Sequence, residues 1–574
     1  MTGRVRRLAR RLRERLERRA LTILAVATAA VLLVLFYYPV ATVFVDAVYA
    51  GGRWTLAAFR EILSSRFYRY DLIGFTAYQA FLSTLASVAL GLPGAWVLSR
   101  FEFRGRETLR SLTILPFVLP SIMVAIGFVA MFGEQGTLNR ALALAGLGRV
   151  HLLYTLQAIL VAHAFYNAPL VTRVTTAAWE SVDARTVETA RSLGAGPWRA
   201  TWDVVVPQLL PAMLVGATLT FIFTFASFPI VLALGGFQLA TVEVWIFRLV
   251  RELEYAEAAA LAVVETVLSL GLTYAYLRYE RRQTAAGRGA RPLPRRTFLP
   301  ESWSPGAVVS RGAIAGYALV VLVVFVGPLA SMVLASFTTA GGAFTLGNYE
   351  FLLRRQITGA SFQVKPLPAI RNSLVFGAGT LLVALPMGVV MSVLTTRSFP
   401  GRRLVDALSM APLAVSGIVV GLGLLRGLVF GVEVFGHRVT VTGPVAIVAA
   451  HAVSAYPFVT RNVSPLLDRL DPRLVESARS LGASRVRALW DVELPLVAAG
   501  VVAGAAFAFA ISIGEFDSTV ILATGSGSYT MPVAVERFIG RRLGPATAMG
   551  CVLLLVTSVS FVVIDRFGGR WGGL

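Results

Sequence analysis

The sequence predicts an all-α polytopic membrane protein of twelve transmembrane helices, built as two tandem six-helix repeats of parallel orientation. Three observations lead there. Of 574 residues, 56% are hydrophobic and 15% charged, whereas soluble domains are about 25% charged. Twelve long apolar runs follow one another along the chain. A segment of the first half recurs, little altered, in the second.

The first apolar run, 21–45, contains no charged residue, and about 20 apolar residues suffice to cross a bilayer core. The others are 72–98, 112–132, 152–172, 209–234, 258–277, 313–336, 374–394, 407–425, 441–460, 497–522 and 546–564. Lipid offers no hydrogen bonds to the backbone, so runs of this length must be helical. The first run follows basic residues as a signal sequence does. It is too long for one and lacks a small-residue cleavage site, so it reads as a retained anchor.

The formal net charge is +22, and its distribution points to a bilayer rather than to nucleic acid. Basic residues crowd the tail before the first span, the stretch 278–311 and the other loops on that side. Such an asymmetry places both termini in the cytoplasm of a plasma-membrane protein. Arg53, Arg60, Arg66 and Arg69 run against this pattern in the first outer loop. Cys551 is the only cysteine, which excludes an internal disulfide and a cysteine metal cage.

The repeat is gapless. Residues 188–207 read ETARSLGAGPWRATWDVVVP and residues 476–495 read ESARSLGASRVRALWDVELP. The offset is 288, and it also aligns His163 with His451, Pro169 with Pro457, Arg173 with Arg461 and Asp183 with Asp471. Six spans per half is an even number, so both halves cross in the same direction, which makes the seam between them the natural substrate path. The division is a basic tail 1–20, a first domain 21–279, a cytoplasmic linker 280–310, a second domain 311–566 and a tail 567–574. The repeated loops occupy 183–207 and 471–495.

Each repeated loop lies between the fourth and fifth spans of its half, on the cytoplasmic side. Asp183 and Asp471 are placed to cap a short helix, Pro472 fits its first position, and Gly194 and Gly482 supply a left-handed end. Ala190 and Ala478 are small enough for a partner surface to come close. A plain connector has little need of Glu, Ala, Gly, Trp-Asp and Pro at matched positions in both copies.

This pattern of Glu-x-Ala, Gly four residues after the Ala and Pro thirteen after the Gly resembles the "EAA" loop of binding-protein-dependent ABC importer permeases. Thr189 and Ser477 stand where that family usually has Ala. The resemblance implies that each loop forms a coupling helix docked in a groove of an ATPase, with Glu188, Ala190, Gly194, Glu476, Ala478 and Gly482 as the contacts. It also implies two six-helix halves, each with its first span wrapping the neighbouring half. Two ATPase subunits and an extracytoplasmic substrate-binding protein complete the system. Lys365 is the only lysine and has no glycine-rich turn before it, so the chain carries no P-loop of its own. ATP and Mg belong to the partner, and no cofactor is expected on this chain. No catalytic set stands out in the sequence, and His163 and His451 read as structural rather than as metal ligands.

Fused permeases of this kind are typical of thiamine and ferric-iron importers. The stretches 78–83, 118–121, 162–167, 225–228 and 512–516 look most like the thiamine type. Glu515 and Asp517 fall in the fifth span of the second half, where their repeat mates are Ser227 and Pro229. Acids within a span default to a functional reading. With Ser227, Phe228 and Phe516 they are candidates for the substrate path, attracting an organic cation by charge and ring faces. The other reading of these acids is an interhelical hydrogen bond, and Glu265 carries the same two readings. A twelve-helix secondary transporter is the rival class, since it too can show a parallel repeat.

Overall fold

A computed structural model describes residues 22–112, 119–283, 291–298, 305–354, 364–397, 399–525 and 527–568. The N-terminal basic tail, part of the linker and the end of the C-terminal tail lie outside the described residues. Among those described, nine helices are long and apolar enough to cross a membrane, and two further pairs qualify as bent spans. The pairs are Arg402–Ala414 with Gly417–Val429, bent by 95°, and Arg485–Leu496 with Ala498–Gly514, bent by 80°. The remaining expected span is the 25-residue helix Leu156–Glu180, long enough to cross but carrying His163, Asn167 and Arg173. The chain is thus a multi-pass membrane protein.

The helices gather into two compact units. One comprises 53–354 with 535–551, and the other 1–52, 355–534 and 552–574. Each therefore joins segments far apart in the sequence. In the unit formed mainly by the second half, Thr22–Val48 lies against Gly417–Leu424. Gly427 leaves room for Tyr38 and Thr42, and Arg426 Nε donates to Asp46 at 2.6 Å. In the unit formed mainly by the first half, Ala307–Ser336 plays the matching part. Its Pro328 carbonyl sits where a Cβ on Gly127 would come within 3.0 Å, and Tyr317 donates to the Leu90 carbonyl at 2.8 Å.

Inside each unit the same crossing recurs. Phe75–Arg100 meets Leu156–Glu180 at Gly91, where an added Cβ would stand 2.7 Å from the Ala168 carbonyl. Thr172 then donates to the Gly91 carbonyl at 2.9 Å. In the other unit Pro366–Thr396 meets Gly443–Asp468 at Gly388, and Thr460 donates to the Gly388 carbonyl at 3.2 Å. Small residues with interhelical hydrogen bonds hold membrane helices together, because lipid supplies no hydrophobic drive between them. The repeat is thus written in packing as well as in sequence, Thr172 and Thr460 being 288 apart.

The fifth span of each half departs from its expected form. The run 209–234 is broken, since its helix Val206–Phe225 stops and Pro229–Gly235 begins a new one. The run 497–522 breaks likewise between Ala498–Gly514 and Asp517–Leu522. Pro229 suits a helix start but not an interior, and at the second break the Glu515 carboxylate takes over the next helix's free N–H groups. Short strands lie outside the spans. Phe101–Glu102 pairs in parallel with Arg296–Thr297 of the linker, and Val432–Val434 pairs with His437–Val439 across a turn at Phe435 and Gly436.

Candidate functional site

The repeated loops form the helices Ala184–Ser192 and Pro472–Ser480. Asp183 Oδ1 accepts from the Arg185 amide at 3.1 Å, and Asp471 Oδ1 from the Arg473 amide at 3.0 Å. Both helices end on a left-handed glycine, with φ of 92° at Gly194 and 91° at Gly482. The Ala195 and Ala483 amides bond back to the carbonyls of Ala190 and Ala478, each at 3.0 Å, closing the helix end by the Schellman pattern. Two segments of different surroundings thus reach the same geometry because the same residues dictate it.

Glu188 and Glu476 are exposed, Ala190 and Ala478 half-buried, and Gly194 and Gly482 exposed. Leu193 and Leu481, repeat mates that sequence reasoning passed over, are 83% and 89% exposed. An apolar side chain that open at the same place in both copies fits an anchor for a partner, and its signal was present in the shared Arg-Ser-Leu-Gly-Ala. A Cβ on either glycine would meet nothing within 4 Å, so a substitution there acts on the backbone alone. Gly194→Val or Gly482→Val should cost about 1–2 kcal/mol at the helix end, read as faster amide exchange at 193–195 or 481–483 with the membrane helices unaffected.

The residues expected on the substrate path divide between the two units. In the unit of the first half, Ser227 Oγ lies 2.9 Å from His163 Nε2, and Ser83 Oγ lies 2.8 Å from His163 Nδ1. In the other, His451 Nδ1 lies 2.7 Å from Ser512 Oγ, and its Nε2 reaches Thr519 Oγ1 at 2.8 Å and Glu515 Oε2 at 3.1 Å. Ser227 and Glu515 are repeat mates, so one buried histidine in each half grips the same point of the broken fifth span. With a carboxylate as neighbour, Nε2 of His451 is the donor.

Glu515 has a second engagement. Its Oε1 accepts from the Ser518 amide at 2.7 Å and its Oε2 from the Thr519 amide at 3.2 Å and from the Thr519 hydroxyl. Both oxygens are thus taken up in capping Asp517–Leu522. Phe228 and Phe516 are 0% and 2% exposed, and Asp517 packs beside Gly417, where a Cβ would come within 2.7 Å of its own Cβ. Glu265 is buried as well, at 1% exposure.

A family model described as "Binding-protein-dependent transport system inner membrane component" matches residues 87–284 and again 382–572. The chain belongs to that family. It is an ABC importer permease with two membrane domains fused in one polypeptide, a transport subunit rather than a secondary transporter. Among similar proteins, the thiamine transport system permease protein ThiP of Escherichia coli (strain K12) is 28% identical over 518 residues, covering 88% of this chain and 90% of that one. The ferric transport system permease protein FbpB of Actinobacillus pleuropneumoniae is 23% identical over 560 residues, covering 95% and 78%. A bacterial ABC transporter involved in import of the acidic polysaccharide alginate aligns at 20% identity and a TM-score of 0.41, covering 47% of the permease and 99% of the solved chain.

Proposed function

We propose that this permease carries thiamine across the plasma membrane, receiving it from an extracytoplasmic binding protein and drawing power from a separate ATPase. The observation that carries the thiamine reading is the likeness to a thiamine permease along 88% of the chain and 90% of the relative. The matched, exposed coupling helices support docking of two ATPase subunits, one on each, and it is these subunits that hold ATP and Mg. The basic loops on one side support cytoplasmic termini.

In this mechanism the loaded binding protein docks outside, and ATP closes the ATPase pair beneath the coupling helices. A few kcal/mol of preference for one of two packings is enough to shift the population between inward-open and outward-open states. The His163 and His451 nodes hold the ends of the broken fifth spans in place while the helices tilt.

Ferric iron is the second reading, favoured by likeness to a ferric permease over 95% of the chain. Reconstitution in vesicles with the cognate ATPase and binding protein separates the two. Thiamine uptake that depends on ATP, with no uptake of ferric iron, is the expected result, and the reverse outcome would transfer the assignment to iron.

A further inference from the structure

The linker between the domains does more than join them. Its residues 291–298 are laid along the cytoplasmic edge of the first-half unit and fastened at every step. The Arg291 carbonyl accepts from the Ala184 amide, the first residue of the first coupling helix, at 2.8 Å, and Pro292 forms a bridge with Asp183. Leu293 enters the apolar cluster of Val182, Val205 and Leu209, which also receives Val187 from the coupling helix itself. Arg295 pairs with Glu102 at 3.2 Å and with Glu180 at 3.0 Å, and Glu180 is also held by the buried Arg106 at 2.8 Å. Arg296 and Thr297 add a strand to Phe101–Glu102, and the Phe298 amide donates to the Glu102 carbonyl at 3.2 Å.

The second coupling helix has no such support among the described residues. The repeat mate of Ala184 is Pro472, which has no N–H to offer. Ala184 is buried, whereas Asp471 and Pro472 are exposed. The difference is written in the sequence, where two helices alike in their cap and terminal glycine differ at the one position that could hold a passing strand.

We propose that residues 291–298 are a brace that positions the first coupling helix, leaving the second free to move independently. Ala184, Leu293 and Arg295 are its positioning residues. The brace needs only this chain, while its bearing on coupling rests on the ATPase docking proposed above.

Ala184→Pro is the decisive variant. Proline is tolerated at the first position of a helix, and the other copy already has it there, so the variant removes the linker's hydrogen bond and leaves the helix its start. Hydrogen exchange on the full-length protein should show amides of 291–298 exchanging at least ten-fold faster in Ala184→Pro and in Arg295→Glu. Amides of 184–192 should follow several-fold, with 472–480 unchanged and Pro472→Ala without effect on either helix. Release of 291–298 with unaltered exchange at 184–192 would overturn the brace, as would free exchange of the segment in the unmodified protein. Arg295→Glu decides the matter if Ala184→Pro does not fold. In the assembled transporter, freeing the helix should lower substrate moved per ATP several-fold while hydrolysis continues, and an unchanged ratio would overturn its role in coupling. If no ATPase binds the unmodified permease, the proposed function fails, and the exchange measurements still decide the brace.

Discussion

Reversing both Glu188 and Glu476 to lysine abolishes ATP-driven uptake, by at least roughly ten-fold, while the isolated permease keeps its thermal midpoint. The two carboxylates are exposed and form no ion pair among the described residues, so their reversal breaks nothing within the chain. In the docking proposed above, what they contribute is collected by the ATPase. Like charges brought together at an interface cost several kcal/mol, and two docking points acting together leave little affinity when both are reversed. Single reversals should show smaller losses. Co-purification with the ATPase, followed by uptake and hydrolysis assays, provides the check. Intact coupling in the double variant would remove these glutamates from the docking surface.

Removing the Glu515 carboxylate lowers the stability of the second-half unit by about 3 kcal/mol, because each buried donor it leaves without an acceptor costs about 1–3 kcal/mol. Glu515→Ala takes one of the two oxygen partners from His451 Nε2, leaving Thr519 Oγ1, and leaves the amides of Ser518 and Thr519 without their carboxylate acceptors in one step. Glu515→Gln should cost less, since its side-chain carbonyl can still accept from an amide. Thermal midpoints in detergent rank the variants, and uptake per folded molecule tests the competing role. A Gln variant that folds normally yet transports several-fold less would place Glu515 on the substrate path. Uptake that simply follows the folded fraction would make it a cap and nothing more. The geometry favours the cap, because both carboxylate oxygens are already engaged.

The sequence announced the spans and the short helices of the repeated loops and was silent about several contacts that position them, and the reason is distance along the chain. Spans follow from composition. The helices of the repeated loops are set by Asp, Ala and Gly within one short segment, so their starts and left-handed ends could be read directly. The breaks in the fifth spans could not, because Phe225 to Phe228 look nearly as apolar as their surroundings, and an acid such as Glu515 within an apolar run does not by itself say that the helix stops there. What fixes them are His163 and His451, some 64 residues away from Ser227 and Glu515. Glu515 was recognised as unusual, but its task depends on amides that appear only once the helix has ended. The course of the linker was hidden as well, since a strand held through backbone carbonyls leaves almost no pattern in side chains.

The pairing of Asp46 with Arg426 has a consequence for biogenesis. The two residues are 380 apart, and a ribosome adds about 5–20 residues per second. The first helix is therefore inserted roughly 20–80 s before its cationic partner has been synthesised. Through that interval an acid near the end of a membrane helix, and the face later covered by Gly423 and Gly427, must be kept from other hydrophobic chains. The nascent protein is a client of the insertion machinery until more than two thirds of it exists, and a ribosome that stalls early in the second domain strands a first helix whose bundle has not yet been made.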